Sequence, residues 1–202
     1  MLFRSCRSGH RNEILKAAKS GVYVLVDSDL NSLSEFTQIY QQTMRDLGAG
    51  SYYLFNDDYF LNLKGVQDFK IILLFAVYED KKIAASIFFV TQNIMHYYLS
   101  GSVAKYKKYA ASKMLIAKAY EIALDLGVSQ IILGGGVGSQ KDALFEFKKG
   151  FSHRLEKFHV FKKILNFMFR TKAFLNMTLI NPSIINSTIR NIRVKSIRSN
   201  FF

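Results

Sequence analysis

Hydrophobic spacing near the start of the chain is that of helices. Over residues 32–48 apolar side chains recur every three or four positions, which predicts an amphipathic helix that ends at Gly48. Ser32 and Glu35 have the spacing of a capping box at its first turn. The same reasoning predicts three shorter elements: a helix over 11–21, a strand over 22–26, and a helix over 56–64 capped by Asn56 or Asp57.

The period then shortens to that of strands. Three apolar, β-branched and aromatic runs, separated by short polar turns, predict an antiparallel meander over 69–78, 83–92 and 94–100. A long helix over 105–127, a strand over 128–134 and a helix over 140–150 follow. This order of elements predicts an α+β fold, in which helices flank a mixed, mostly antiparallel sheet.

Charge divides the chain into two parts. The net charge is +13, yet no acidic residue follows Glu156 while nine lysines and arginines do. We therefore expect one domain over 1–156 and a basic, aromatic C-terminal tail over 157–202. Such a tail suits an anionic partner, either a membrane surface or RNA, although a solvated tail has the same composition.

Cysteine content and apolar runs bear on the location of the protein. Cys6 is the only cysteine, so the chain forms no intrachain disulfide, as is usual in a reducing cytosol. The longest apolar runs, 71–77 and 83–90, are too short to span a bilayer. We expect a cytoplasmic protein, at most peripheral to the inner face of the membrane.

The glycine run "IILGGGVGSQK" (131–141) fails both nucleotide motifs, because neither the Walker spacing nor G-x-G-x-x-G is met. Gly135 and its neighbours are instead expected where a strand end closes against a substrate or the adjacent sheet. "HYYLSGSVAK" (96–105) joins a strand to the long helix, whose N-terminus would attract an anion. A serine cap beside solvated lysines explains the same residues.

Several motifs in order resemble the FemAB-like branch of the GNAT acyltransferase superfamily. They are listed here from the N-terminus: "RNEILKAAKSGV", "YQQTMRDLGAGSYYLFNDDYF", "HYYLSGS", the strand ending "LGGG", and "DALFEFKKGFS". The resemblance covers roughly residues 10–165 and only the second of the two GNAT domains of full-length relatives. A homodimer would complete the site, or the chain is truncated or inactive.

The resemblance implies an N-acyltransferase whose donor binds where two strands splay and the long helix begins. The donor would be acetyl-CoA or aminoacyl-tRNA, since "SGSVAK" departs from the usual coenzyme A motif. The acceptor would be an amine of a peptidoglycan or polysaccharide precursor. Residues assigned to the donor are Ser100, Gly101, Ser102 and Lys105. Residues assigned to the substrate are Tyr40, Tyr59, Gly135, Asp142 and Lys148, with Lys148 at the family's Phe-Lys position.

Acyl transfer to an amine requires a base, a polarised carbonyl and an acid for the leaving group. His96 and Tyr98 lie on one face of their predicted strand by alternation, which makes His96 a candidate base and Tyr98 a candidate acid. Packing of one of the two strand faces into the core is the alternative explanation for either residue, and the stronger one. His153 has no cysteine or acidic partner at ligand spacing, so no metal site is predicted. The alternative function is an inactive remnant that binds anionic surfaces through its basic tail.

Overall fold

In the computed structural model, which describes residues 6–157, α-helices pack on both faces of a five-stranded sheet. The helices are α1 (Ser8–Lys19), α2 (Leu33–Asp46), α3 (Asp57–Lys64), α4 (Ala111–Asp125) and α5 (Ala143–Lys149). The strands are β1 (Tyr23–Asp27), β2 (Lys70–Tyr78), β3 (Lys81–Thr91), β4 (Ile94–Ser102) and β5 (Gln130–Ile132). The predicted α+β class is confirmed.

The strands follow their chain order in the sheet, β1-β2-β3-β4-β5. The first four are antiparallel neighbours, and β5 joins β4 in parallel. The sheet is therefore mixed and mostly antiparallel, as predicted. Strands β2 and β3 are buried along most of their length, which is why both appear in the sequence as continuous apolar runs rather than as alternating patterns.

Helices cover the sheet on two faces, each with its own core. On one face, here called the α2 face, α2 and α3 bury Phe36, Tyr40 and Phe60 against residues of β2 and β3 that include Phe75 and Ile87. On the other, here called the α4 face, α4 packs Leu115 and Ala119 against residues that include Leu74 and Phe88. Contributions from α1 and α5 complete this second layer.

The start of α2 differs from the predicted capping box. Ser32 occupies the N-cap position, but its side chain makes no capping bond. Lys82 of β3 instead donates to the Ser32 hydroxyl (3.0 Å) and to the Glu35 carboxylate (2.6 Å). The two residues therefore tie the helix to the sheet. At α3 the prediction is correct, because the Asn56 side chain accepts the Tyr59 N–H at 3.0 Å.

The predicted long helix over 105–127 is wrong at its start. Residues Ala104–Tyr109 form a 3-10 helix, Ala110 adopts a left-handed conformation (φ 48°), and α4 begins only at Ala111. In a 3-10 helix positions i and i+3 eclipse, so Tyr106 and Tyr109 lie on one side, where both rings meet Tyr78. The local spacing of aromatic residues in "KYKKY" therefore favours the tighter helix.

Residues 6–155 pack as one unit, and the following unit, 156–202, lies almost entirely outside the described residues. The basic tail predicted over 157–202 thus stays a prediction, as does its anionic partner. Among the helices of the described part of the chain, none combines the length and apolarity needed to cross a membrane.

Candidate functional site

The sheet opens into a fork between β4 and β5. The two strands pair over three positions only, and the last pair is His96 with Ile132. Strand β4 continues for six residues beyond this point, to Ser102, while its partner has already ended. Within residues 6–157 no strand pairs with this part of β4 on that side, so the fork exposes a row of backbone hydrogen-bonding groups.

A β-bulge lies in β4 beside the fork. Residue Ile87 of β3 pairs with Leu99, but Phe88 pairs with Tyr97, so Tyr98 is the extra residue. As a result Tyr98 and Leu99 both face α2, while Tyr97 faces α4. His96 is opposite Phe89, a residue of the α2 face, so His96 and Tyr98 share a face as predicted.

Tyrosines dominate the α2 face of the fork. The hydroxyls of Tyr98 and Tyr59 are hydrogen-bonded to each other, and burial, followed by this bond, raises the pKa of Tyr98. The Tyr59 ring stacks on Phe55 at 4.2 Å, and Phe55 stacks on Tyr40 at 6.0 Å. Tyr40 is buried, which raises its pKa to about 12. Tyr40 therefore forms the buried end of this aromatic stack, whereas Tyr59 forms its outer end.

A different set of polar groups lies on the α4 face. The Tyr97 hydroxyl donates to Ser100 Oγ at 2.5 Å. Lys148 reaches from α5 so that its Nζ is 5.6 Å from the Tyr97 ring centroid and donates to the Gly135 carbonyl at 2.8 Å. Burial lowers the pKa of Lys148. Lys148 and Gly135, both predicted as substrate contacts, are thus brought together beside Tyr97.

Asp142 organises the glycine loop. Its carboxylate accepts the Phe145 N–H (2.8 Å) and the Val137 N–H (2.9 Å), and these two bonds lower its pKa. A Cβ at Gly136 would overlap Asp142 Oδ1 and the Gln140 carbonyl. The glycine run therefore closes a loop around a helix cap, and the contacts of Asp142 are those of a structural residue; its predicted substrate contact stays a prediction.

The predicted donor residues are placed differently from the expectation. Ser100, Gly101 and Ser102 belong to β4 and do not form a turn before a helix. Gly101 is buried where β4 crosses α2, and the Ser102 N–H donates to Thr43 Oγ1 at 2.8 Å. Lys105 is exposed, with its Nζ 5.7 Å from the Tyr106 ring centroid. Of the four residues, Ser102 alone lines the cavity described next.

A cavity of about 380 Å³ lies at the N-terminus of α4, next to the end of β4. Its cationic lining residues are Lys16, Lys107, Lys108 and Lys113. Glu13 is the acidic residue of the lining and forms a salt bridge with Lys113. No side chain caps the first turn of α4, so its N–H groups add to the positive potential. The cavity suits a phosphate-bearing ligand.

Sequence reasoning missed part of this arrangement. Lys16 comes from α1, which lies almost one hundred residues before α4 in the chain, and no motif connects the two. Tyr97 was not among the residues predicted for the site. The "YY" pair in a strand was the available signal, because adjacent strand residues face opposite sides of a sheet. His96 lies at the vertex of the fork and is half-buried.

Solved structures with the same arrangement are acyltransferases of the GNAT superfamily. An aminoglycoside acetyltransferase from an uncultured soil metagenomic sample, in complex with sisomicin, has a TM-score of 0.55 and 14% identity, covering 72% of this chain and 97% of its own. Ribosomal-protein-alanine N-acetyltransferase from Brucella melitensis biovar Abortus 2308 has a TM-score of 0.55 and 13% identity, covering 71% and 99%. The fold is therefore that of a GNAT acyltransferase.

Two further matches relate this chain to the FemAB family. The model of the FemAB family matches residues 69–161. FemX has a TM-score of 0.61 and 14% identity over 74% of this chain, which spans 55% of the FemX chain. Residues 69–161 thus match the FemAB family, and the fold is shared with FemX and with GNAT acyltransferases. A search of curated protein sequences gives no match.

Proposed function

We propose that this protein is an N-acyltransferase that moves an acyl group from a phosphate-bearing donor to an amine of a sugar or cell-envelope precursor. The observation that carries the proposal is the fork between β4 and β5, with Lys148 beside it and the lysine-lined cavity at the end of β4. Two sources of donor fit a cationic cavity, acetyl-CoA and aminoacyl-tRNA.

Charge separates the donor side from the acceptor side. The α4 face carries the four cavity lysines and Lys148, which suits a donor phosphate. The α2 face presents aromatic rings, among them Tyr52 with 81% of its surface exposed. Helix α3, which packs on the same face, carries Asp57 and Asp58 in its first turn. Aromatic faces and carboxylates attract a cationic amine. The sisomicin bound to the aminoglycoside acetyltransferase supports an amine-bearing sugar as the acceptor.

The chemistry follows from these two sides. His96, at the vertex of the fork, accepts a proton from the acceptor amine. Backbone N–H groups of the open part of β4 and the Lys148 ammonium stabilise negative charge on the acyl oxygen as the amine attacks. Tyr98, which we first expected to be the acid, has its hydroxyl engaged with Tyr59 on the acceptor face. We assign that hydroxyl pair to orienting the amine.

The first test measures acyl transfer with acetyl-CoA and, separately, with alanyl-tRNA, using glucosamine and an aminoglycoside as acceptors. Turnover with one of the two acyl donors, or its binding measured by calorimetry, identifies the donor that the protein uses. Lys148→Met is expected to lower kcat by roughly 100-fold, which is the loss typical when one hydrogen-bond donor that stabilises the transition state is removed. Lys149→Met is the matched control, since Lys149 is exposed and pairs with Glu146 at 3.5 Å. The absence of turnover and of binding with both donors would refute the proposed function.

A further inference from the structure

The start of α1 is hydrogen-bonded to the last turn of α5. The Arg7 N–H donates to the Gly150 carbonyl at 2.9 Å, and the Arg7 guanidinium donates to the Glu146 carbonyl at 3.5 Å. His10 Nε2 lies 3.0 Å from the Phe147 carbonyl oxygen. Carbonyls in the last turn of a helix lack a full set of partners within that helix. Arg7 and His10 supply these partners, and we call the two residues the α5 clamp.

Gly150 shows how closely the clamp approaches α5. Its φ is −64°, an ordinary helical value, so the backbone conformation does not require glycine. A Cβ at this position would lie 2.5 Å from His10 Nε2 and 2.8 Å from Arg7 Nε. The His10 ring is buried and meets the Phe151 ring edge-on, with the centroids 4.8 Å apart. The glycine therefore provides the space that the clamp occupies.

The hydrogen bonds of the clamp define the protonation state of His10. A carbonyl only accepts, so His10 Nε2 carries the proton that it donates to Phe147. The Arg7 Nε–H only donates, so His10 Nδ1, 3.3 Å away, is the acceptor and carries no proton. A second proton on Nδ1 would remove the acceptor of Arg7. The clamp is therefore complete only when His10 is neutral.

The charged neighbours of His10 also oppose its protonation. Arg7 of the clamp and Lys113 of α4 are both cationic, and the Glu13 carboxylate is paired with Lys113. Burial, and to a smaller degree these two cations, lowers the pKa of His10. Burial raises the pKa of the Cys6 thiol, which keeps that group uncharged. Helix α5 itself meets the His10 ring with an aromatic ring.

The helix that the clamp holds carries Lys148. Helix α5 has seven residues, and an isolated helix of that length is unstable in water. Asp142 caps its first turn, while the clamp binds its last turn. Lys148 directly follows Phe147, and its ammonium donates to the Gly135 carbonyl beside the fork at 2.8 Å. The position of this ammonium therefore depends on the clamp.

We propose that His10 is a positioning residue for acyl transfer, which in its neutral form holds the last turn of α5 and so keeps the Lys148 ammonium at the fork. This inference rests on the proposed function and adds a control of the same site by pH. His10 acts through α5 and not by contact with either substrate.

A double-mutant cycle with Lys148 tests this role, using whichever donor turns over. His10→Leu removes the donor to Phe147 and should lower kcat about 10-fold with little change in KM, because a small displacement of a catalytic group slows the reaction to that extent. In a Lys148→Met background His10→Leu should cause no further loss, since both changes remove the same ammonium from the fork. Ala17→Gly, two turns further along α1, weakens the helix but removes no clamp bond. It is the matched control and should keep the wild-type rate.

His10→Gln separates the hydrogen bond from the charge. Glutamine offers an N–H to the Phe147 carbonyl and does not titrate. At pH 8 the kcat of this variant should therefore stay within about threefold of the wild-type value, because the hydrogen bond is retained. A rate as low as that of His10→Leu would overturn the proposal.

Hydrogen exchange of the amides of residues 143–150 gives a readout that needs no turnover. Compared with the amides of α2, and after correction for intrinsic rates, these amides should exchange faster in the wild type as the pH falls from 8 to 5. Exchange should be fast at both pH values in His10→Leu and slow at both in His10→Gln.

The outcomes separate this inference from the proposed function. Equal losses of kcat from His10→Leu with and without Lys148, or wild-type exchange of α5 in His10→Leu, would overturn the positioning role and leave the proposed function intact. A wild-type protein that turns over neither acetyl-CoA nor alanyl-tRNA would overturn both.

Discussion

Replacing Gly101 by alanine tests whether this glycine serves packing or a ligand. A Cβ at this position would lie 2.8 Å from the Ile39 carbonyl oxygen and 2.8 Å from Tyr40 Cα. Both atoms belong to the backbone of α2, so no side-chain rotation relieves the overlap. Restoring an ordinary contact of 3.4 Å moves α2 away from β4 by about 0.6 Å.

The expected loss of stability follows from two terms. Overpacking of this kind costs about 1–3 kcal/mol. The shift also weakens the bond from the Ser102 N–H to Thr43 Oγ1, now 2.8 Å long, which contributes about 1 kcal/mol. We therefore expect Gly101→Ala to lower the free energy of unfolding by about 2–4 kcal/mol, measured by urea denaturation.

Gly9→Ala provides the matched control. Gly9 lies within α1, and a Cβ there meets no atom within 4 Å. This change should stabilise the protein by up to about 1 kcal/mol, since alanine is the better helix former. If Gly101→Ala unfolds at the wild-type urea concentration, the close approach of β4 to α2 is not what requires glycine. Retained stability with lost donor binding would favour the donor role that the sequence suggested.

Three further changes test other parts of the structure. Burial lowers the pKa of His10 in the folded protein below its ordinary 6.5, so the unfolded chain binds the proton first as pH falls. The free energy of unfolding should be highest above about pH 6.5 and decrease at lower pH. In urea titrations between pH 8 and pH 5, His10→Gln should make this decrease shallower; the same decrease in the wild type and the variant would contradict the prediction. Asp142→Ala should lower the melting temperature by removing the acceptor of the Val137 and Phe145 N–H groups. Asp142→Asn, which keeps an acceptor, should lose less; equal losses by thermal unfolding would show that the cap is unimportant. Ser86→Ala should leave the melting temperature unchanged or higher, because the buried Ser86 hydroxyl has no hydrogen-bond partner within residues 6–157; a clear fall in the melting temperature would reveal a partner for it.

Prediction from the sequence succeeded where one local signal decides. The helix over 32–48 is α2 to within two residues at each end, and Asn56 caps α3 as expected. Prediction was wrong where a residue distant in the chain competes for the same hydrogen-bonding groups. Ser32 and Glu35 have capping-box spacing, but Lys82, about fifty residues later in the chain, binds both. The spacing of residues within one segment does not indicate a contact with a segment so far away in the chain.

For the site, the sequence identified the chemical groups but not which of them lie close together. It identified the tyrosine-rich strand, the lysines after it and Lys148, and it excluded both nucleotide-binding glycine motifs. The tertiary structure decided that Lys148 lies beside Tyr97 and that Gly101 packs against α2. It also decided that lysines of α1 and α4 share one cavity.

The two faces of β4 show the physical reason. Residue spacing along the chain specifies the period of a strand, so alternation could place His96 and Tyr98 on one face and Tyr97 on the other. A bulge depends on the register between β3 and β4, and the end of pairing depends on where β5 stops. Both are properties of contacts between distant segments. The sequence alone therefore determined the elements and the candidate chemistry, while tertiary packing decided which side chains meet at the fork.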